Sequence, residues 1–246
     1  MQNLGVANLL VAIGGTDRKN VVVAGLSGTV LHSAGGGAAW VSQNAGTHAD
    51  FYVVQGTMTD IYVAGNPRTV IGSRDGGKAW RTLLEYDPML PAVEFAGIWS
   101  PGSAGNLYVV GSQWVYHTPD DGRTWTITNL PQWSAIWSIW GSSETDLFIG
   151  GGSLIGNLAH SIDGGKNWAM QPTMLAPNDG VYSMWGSGAD DIYAIGASSG
   201  TILHTVDGGK SWTIQSKAPR SLWHIWGSGK GDVYAVGRAG LIMHFQ

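Results

Sequence analysis

The strongest constraint on the fold is a short pattern that occurs six times along the chain. Each copy begins with Asn or Asp, continues with four mostly apolar residues and ends in glycine. The copies occupy residues 20–25, 60–65, 106–111, 146–151, 191–196 and 232–237, and their closing glycines lie 40 to 46 residues apart. A period of this length is the signature of a repeat architecture, in which one small structural unit is copied along the chain.

Three further columns accompany this pattern in register. A run containing Trp-Gly or Trp-Ser precedes it in most units, a run usually ending in histidine follows it, and a tryptophan comes later, at Trp40, Trp80, Trp125, Trp168 and Trp212. Each unit therefore holds four β-type runs separated by glycine-rich turns. Four short strands per repeat predict a propeller blade. We expect residues 1–246 to form a single all-β domain, a six-bladed β-propeller with four-stranded antiparallel blades.

The two ends of the chain predict how the ring closes. The sixth unit stops at Phe245 and Gln246, directly after its third run, whereas residues 1–6 form a spare segment ahead of the first run. We expect this N-terminal segment to supply the fourth strand of the last blade. Such closure removes a free sheet edge, which favours a monomer.

The turn between the third and fourth runs also recurs. It reads Ser73-Arg-Asp75-Gly-Gly77-Lys-Ala-Trp80 in the second unit, with close copies at residues 118–125, 161–168 and 205–212. This turn resembles the Asp-box, or BNR repeat, and the whole unit resembles the repeats of photosystem II assembly factor-like propellers over nearly the whole chain. The resemblance implies the fold, but sialidases, lectins, receptors and assembly factors share it. Within the turn, we expect the Asp carboxylate to accept the turn's own N–H groups and the tryptophan to pack beneath.

Composition excludes several classes of function. Thirteen basic and seventeen acidic residues give a net charge of −4, and the scattered basic residues argue against nucleic-acid binding. Because cysteine is absent, the chain has no disulfide and no thiolate nucleophile. No apolar run is long enough to span a membrane, and the N-terminus lacks the basic region of a signal peptide. The compartment stays open, with a secreted or periplasmic location favoured if a signal peptide has been removed.

Five histidines recur in register on the third strands, which raises the question of a metal site. They are His32, His117, His160, His204 and His244. Ligands must converge to about 2 Å from one ion, whereas equivalent positions on different blades lie apart. We therefore expect no metal and no cofactor, and we interpret these histidines as hydrogen-bonding groups between blades.

Residues that break the repeat register are the candidates for function. Most acids recur in register, but five fall in the loops between the fourth strand of one blade and the first of the next: Asp50, Glu85, Asp87, Glu94 and Asp179. Arg220 belongs to the same loop class, and His224 begins a first strand. Propeller loops of this class lie on the face where ligands usually bind. The loop of residues 85–96 is the longest of them and could act as a lid.

Large aromatic residues are distributed unevenly on the same face. Three residues before the first-strand tryptophan column, the six units carry Leu10, Tyr52, Ala96, Trp137, Tyr182 and Trp223, and Trp133 lies just before the fourth of these. We expect one asymmetric pocket at the mouth of the central channel. Its predicted ligand-binding residues are Tyr52, Trp133, Trp137, Tyr182, Trp223, Arg220, His224, Asp50, Asp179 and Glu94.

Three functions are compatible with this pocket. The favoured interpretation is a lectin-like protein that binds a carbohydrate or a small organic molecule, because aromatic rings stack on such ligands and acids accept their hydroxyl hydrogens. An enzyme is the first alternative: a hydrolase, lyase or cyclase with Glu94, Asp87 and His224 as acid–base groups. The second alternative is a protein-interaction or assembly-factor scaffold, in which the aromatics anchor a protein partner.

Overall fold

The structure is a computed structural model that describes residues 6–89, 93–103, 105–153, 157–176 and 179–245. These residues form six antiparallel sheets and a single three-residue 3₁₀ turn at Arg238–Gly240. The sheets follow one another along the chain, each built from consecutive strands in sequence order. They are the six blades of a β-propeller, so the predicted fold class is confirmed.

The chain divides into two compact units. Unit one comprises Met1–Val109 and Tyr116–Thr126, and unit two comprises Val110–Val115 and Ile127–Gln246. The first three blades consist of β1 (Leu10–Gly15), β2 (Val21–Gly25), β3 (Val30–Ser33) and β4 (Val41–Gln43); β5 (Asp50–Gly56), β6 (Ile61–Asn66), β7 (Thr69–Ser73) and β8 (Arg81–Leu84); and β9 (Gly97–Trp99), β10 (Leu107–Gly111), β11 (Trp114–Thr118) and β12 (Thr126–Asn129). That residues 1–246 form a single domain stays a prediction.

Unit two contains the last three blades. Their strands are β13 (Trp133–Gly141), β14 (Leu147–Ser153), β15 (Leu158–Ser161) and β16 (Ala169–Met170); β17 (Val181–Gly188), β18 (Asp191–Gly196), β19 (Thr201–Thr205) and β20 (Thr213–Lys217); and β21 (Leu222–Gly229), β22 (Asp232–Gly237) and β23 (Ile242–Phe245). The last sheet has three strands among the described residues. The predicted closing segment, residues 1–6, lies outside the described part of the chain except for Val6, so ring closure by this segment stays a prediction.

The core lies between adjacent blades, where the apolar residues of the second and third strands are buried. In unit one, a cluster around Phe51, Ile61 and Val63 joins the first two blades. In unit two, Trp140 of the fourth blade packs against buried residues of the fifth, and Trp185 packs in the same way against the sixth. Trp140 and Trp185 of the first strands therefore serve to pack one blade against the next, because large apolar side chains contribute most when buried against a neighbouring sheet.

The Asp-box turns have the expected local chemistry. Asp163 accepts hydrogen bonds from the backbone N–H groups of Lys166 and Asn167, at 3.1 and 2.9 Å. These bonds, with that of the Asn167 side chain, lower the pKa of Asp163 to about 2. Gly165 has a φ of 81°, which glycine adopts without strain, and its carbonyl accepts the indole N–H of Trp168. The Asp of this turn is thus structural.

The expectation for the recurring histidines requires a correction, because four of them hydrogen-bond within their own blade and not between blades. His204 Nε2 lies 2.7 Å from Oδ1 of Asp191, the first residue of β18, and its ring stacks on Tyr193 at 4.0 Å. The same carboxylate accepts the hydroxyl of Ser187. Equivalent His–acid or His–Asn pairs and ring stacks occur at His117, His160 and His244. The His204 set thus ties the three inner strands of the fifth blade together.

Candidate functional site

The predicted aromatic column coincides with a β-bulge in the innermost strand of the blades. The strand register shifts at Tyr52 in β5, at Trp137 in β13, at Tyr182 in β17 and at Trp223 in β21. In the first blade the bulged residue is Val11 and not Leu10, the residue that the repeat spacing places in this column. A bulge leaves one residue outside the hydrogen-bonded ladder and changes the direction of its side chain. The side chains of these aromatic residues therefore do not follow the alternation of the paired residues beside them.

The closing glycine of each repeat is the counterpart of this bulge. The residue before the bulge pairs with that glycine, as Ile136 does with Gly151 and Leu222 with Gly237. A Cβ on Gly151 would overlap the carbonyl oxygen of Ala135, which the bulge turns toward the second strand. The glycine therefore recurs because the backbone of the first strand approaches too closely for any side chain.

Unit two presents three of these aromatics on successive innermost strands. Tyr182 and Trp223 are 44% and 55% exposed, whereas Trp137 is half-buried. The rings of Trp137 and Tyr182 lie 5.6 Å apart at an angle of 49°. We call Trp137, Tyr182, Trp223 and the adjacent His224 the bulge surface. Exposed rings held on rigid strands are the side chains that contribute most to recognition of a partner or ligand.

His224 is the polar group of the bulge surface. It directly follows the bulge in β21, and its Nδ1 lies 3.2 Å from the hydroxyl oxygen of Ser183, which directly follows the bulge in β17. His224 is an exposed residue, and partial desolvation of its imidazole lowers the pKa of His224 from its ordinary value. The lowered pKa favours the neutral form of the ring at physiological pH.

The other predicted residues of unit two have different positions. Arg220 is exposed, in the loop before β21. Trp133 is only 2% exposed and lies in the interior at the start of β13. Asp179 is also buried, and its Oδ1 accepts the backbone N–H groups of Ser198 and Ser199 at 2.7 and 3.3 Å. Trp133 and Asp179 therefore support the fold around the bulge surface and are not on it.

Unit one contains a second, acidic group of predicted residues. Tyr52 is half-buried, and its pKa is raised by desolvation and by the charges of Asp50 and Glu94. Asp50 also accepts the backbone N–H of Ser27 at 2.8 Å. Glu94 is exposed between two buried neighbours, Val93 and Phe95. The structure thus brings Tyr52, Asp50 and Glu94 close enough to interact electrostatically.

The long loop predicted as a lid is anchored at both described ends. Arg68 is fully buried, and its guanidinium donates to the Asp87 carbonyl at 2.7 Å. The backbone N–H of Arg68 donates to the Val93 carbonyl at 3.3 Å. Phe95 packs edge-on against Tyr116, with ring centroids 5.1 Å apart. Residues 90–92, the middle of this loop, lie outside the described residues.

Catalytic chemistry finds little support in the described residues. The Asp87 carboxylate accepts the backbone N–H of Met89 at 2.8 Å, which fixes it in its own turn. In the Ser187–Asp191–His204 set, the carboxylate lies between the hydroxyl and the imidazole. A nucleophilic serine needs the imidazole in that middle position, so this set is structural. Catalysis by Glu94, Asp87 and His224 stays a prediction.

Two further features are absent from the described part of the chain. No cluster of three or more His, Asp or Glu residues is arranged there to hold a metal ion. Nor is any helix in these residues long and apolar enough to cross a membrane.

Sequence reasoning missed Ser183 and the role of the closing glycines. Ser183 follows an aromatic in the strand and has no distinguishing motif, so nothing in the sequence predicts its bond to His224. The glycine column was a usable signal, because a glycine at a fixed place in a strand often marks a bulge on its partner.

Comparison with known proteins identifies a family. A family model described as the photosynthesis system II assembly factor YCF48 matches residues 1–140. Among solved structures, YCF48 from Cyanidioschyzon merolae is 17% identical, with a TM-score of 0.58 over 100% of this chain and 98% of that chain. The structure of YCF48 bound to D1 peptide is also 17% identical, with a TM-score of 0.52 over 98% of this chain and 94% of that chain. Among curated proteins, none matches this sequence.

The comparisons favour protein binding over the carbohydrate interpretation. An ancestral GH74 enzyme is 15% identical, with a TM-score of 0.67 over 99% of this chain but only 38% of that chain. At this identity the match shows the fold alone. The lectin-like prediction thus has no support in the comparisons, whereas the alternative of a protein-interaction or assembly-factor scaffold agrees with the matching family.

Proposed function

This chain belongs to the family of the photosynthesis system II assembly factor YCF48, and we propose that it binds an extended segment of a partner protein at the bulge surface. The observation that carries the proposal is the placement of Trp137, Tyr182 and Trp223 at equivalent bulges of three successive innermost strands. A relative with the same fold is known in complex with a peptide of the D1 protein.

The chemistry of the surface suits a peptide. Aromatic rings on a rigid scaffold give a large contact area at a small cost in conformational entropy, since the strands already fix their backbones. An extended segment can place an apolar or aromatic side chain against these rings and turn its main-chain polar groups toward His224. The exposed Arg220, three residues before Trp223, adds a positive charge that would attract an acidic group of the segment.

The proposal is tested by titrating the chain with a fluorescently labelled D1 peptide. We expect saturable binding that weakens at least tenfold in Trp223→Ala, as is usual for an aromatic anchor of an interface. Trp226→Ala is the matched control, because Trp226 lies on the same strand and is 54% exposed but is not a bulge residue. Its affinity should match that of the unmodified chain.

Two results would contradict this function. Equal loss in both tryptophan variants would mean that the bulge surface has no special role. No peptide binding, together with a thermal shift caused by sugars or small aromatic molecules, would instead favour the small-ligand interpretation.

A further inference from the structure

The hydrogen bonds around Ser183 determine which nitrogen of His224 carries the proton. The Ser183 hydroxyl oxygen accepts the backbone N–H of Ile225 at 3.3 Å and lies 3.2 Å from Nδ1 of His224. Ser183 is a buried residue. Its hydroxyl hydrogen therefore needs an acceptor, since a buried donor left unpaired is costly.

Nδ1 of His224 is that acceptor. If Nδ1 carried the proton instead, the serine oxygen would accept two hydrogen bonds, and its own hydrogen would have no partner among the bonds described for this residue. The hydroxyl thus donates to Nδ1, which leaves the proton of the neutral imidazole on Nε2. Within the described residues, no hydrogen bond to Nε2 of His224 is found, and the residue is exposed.

We infer that the Nε2–H group of His224 is a hydrogen-bond donor that the bulge surface offers to its peptide, and that Ser183 is the residue that positions it. The acceptor is a carbonyl or carboxylate oxygen of the bound segment, because those are the acceptors that an extended peptide presents. This inference rests on the proposed function. It adds a direction-dependent hydrogen bond at a defined position beside the aromatic rings, and such contacts give specificity where stacking alone gives affinity.

The tautomer can be measured without any ligand. A long-range ¹H–¹⁵N spectrum of the histidine rings at neutral pH should show His224 with a bare Nδ1 and a protonated Nε2. The resonances are assigned by their absence in His224→Gln. In Ser183→Ala, this preference should weaken, since the group that holds Nδ1 as an acceptor is gone. A protonated Nδ1 in the unmodified chain would overturn the inference.

Binding of the labelled D1 peptide then tests the donor itself. His224→Phe keeps a flat ring but removes the donor, and should weaken binding by about three- to tenfold, the usual effect of one hydrogen bond. His224→Gln can place an amide N–H near the position of Nε2 and should restore most of the affinity. Ser183→Ala should lose affinity, whereas Ser183→Thr, which keeps the hydroxyl, should retain it.

Ser138→Ala is the matched control. Ser138 is the buried serine that follows the bulge in β13, but its hydroxyl has no hydrogen-bond partner among the described residues. It should bind peptide like the unmodified chain, with a melting temperature measured for every variant to exclude unfolding.

The outcomes separate the two proposals. Peptide binding that depends on Trp223 but is unchanged in both His224→Phe and Ser183→Ala would overturn the inference and leave the proposed function intact. Absence of any peptide binding would overturn both the function and the role of His224 as a donor to peptide.

Discussion

Gly180 lies against the ring of Trp137, so closely that a Cβ at this glycine would overlap the ring edge at Cζ3 and come within 2.6 Å of the Gly151 carbonyl oxygen. On one side, the space that the Trp137 ring occupies is therefore bounded by backbone atoms. Because the glycine comes from the blade that follows Trp137, the position of one ring of the bulge surface depends on the packing of two neighbouring blades.

Gly180→Ala should displace Trp137 and lower stability by about 1–3 kcal/mol, the usual cost of overpacking. Gly152→Ala is the control, since its Cβ would lie 3.5 Å from Cη2 of the same ring and 3.3 Å from the Ser134 hydroxyl oxygen, without the overlap found at Gly180. Fluorine NMR of fluorotryptophan-labelled chain would show a shifted Trp137 signal in the first variant and a nearly unchanged one in the second. Equal Trp137 signals in the two variants would contradict the close approach of Gly180 to this ring.

The closing glycines should be intolerant of any side chain. Gly151→Ala forces a Cβ onto the Ala135 carbonyl at the bulge, and we expect a loss of about 1–3 kcal/mol or more, measured by chemical denaturation. Gly188→Ala is the control, because nothing lies within 4 Å of its Cβ position. A wild-type stability for Gly151→Ala would mean that the bulge is not required.

Asp163 should make the free energy of unfolding depend on pH in the acidic range. Its pKa is lowered to about 2 by hydrogen bonds from the backbone and side chain of Asn167. A carboxyl with a depressed pKa stabilises the folded state fully above its unfolded pKa of 3.8, and this contribution disappears as pH falls through 2. The stability difference between the unmodified chain and Asp163→Asn should therefore shrink between these pH values.

Denaturation of both proteins at a series of pH values measures this difference. Asp190→Asn, at an exposed aspartate outside the Asp-box turns, is the control for the loss of one acidic side chain. A difference that stays constant down to pH 2 would contradict the assignment of the turn hydrogen bonds to the carboxylate.

The His204 set should stabilise the fifth blade. His204→Ala removes both the stacking on Tyr193 and the bond to Asp191, and leaves the nearly buried carboxylate with one partner fewer. We expect a loss of about 1.5–3 kcal/mol for the bond to a charged group, with an added loss for the stack. His48→Ala, at an exposed loop histidine, should be neutral. A neutral His204→Ala would show that the set contributes nothing to folding.

The repeat made the fold predictable, because every strand and turn was present in several copies. The Asp-box chemistry was also predictable, since a short-range turn depends on residues that are adjacent in sequence. The histidine bonds were placed between blades in the sequence analysis, whereas His204 reaches the start of β18 in its own blade. That contact depends on the register of two paired strands, which a column of residues does not specify.

The candidate site was predictable only in part. The aromatic column was identified because it breaks the register, and the structure adds that Trp137, Tyr182 and Trp223 are bulge residues. Trp133 and Asp179 were grouped with them but are buried. The exposure of a residue near a strand end depends on how the next loop folds over it, and that is a long-range property.

The most direct test of the account follows the indole N–H signals of the tryptophans during titration with the D1 peptide. The proposed function predicts that the signals of Trp137 and Trp223 shift with increasing peptide, because these rings form the bulge surface. Trp226 lies on the same strand as Trp223 and is about as exposed, and its signal should stay in place. Shifts confined to Trp226 and to tryptophans outside the bulge surface would contradict the central claim.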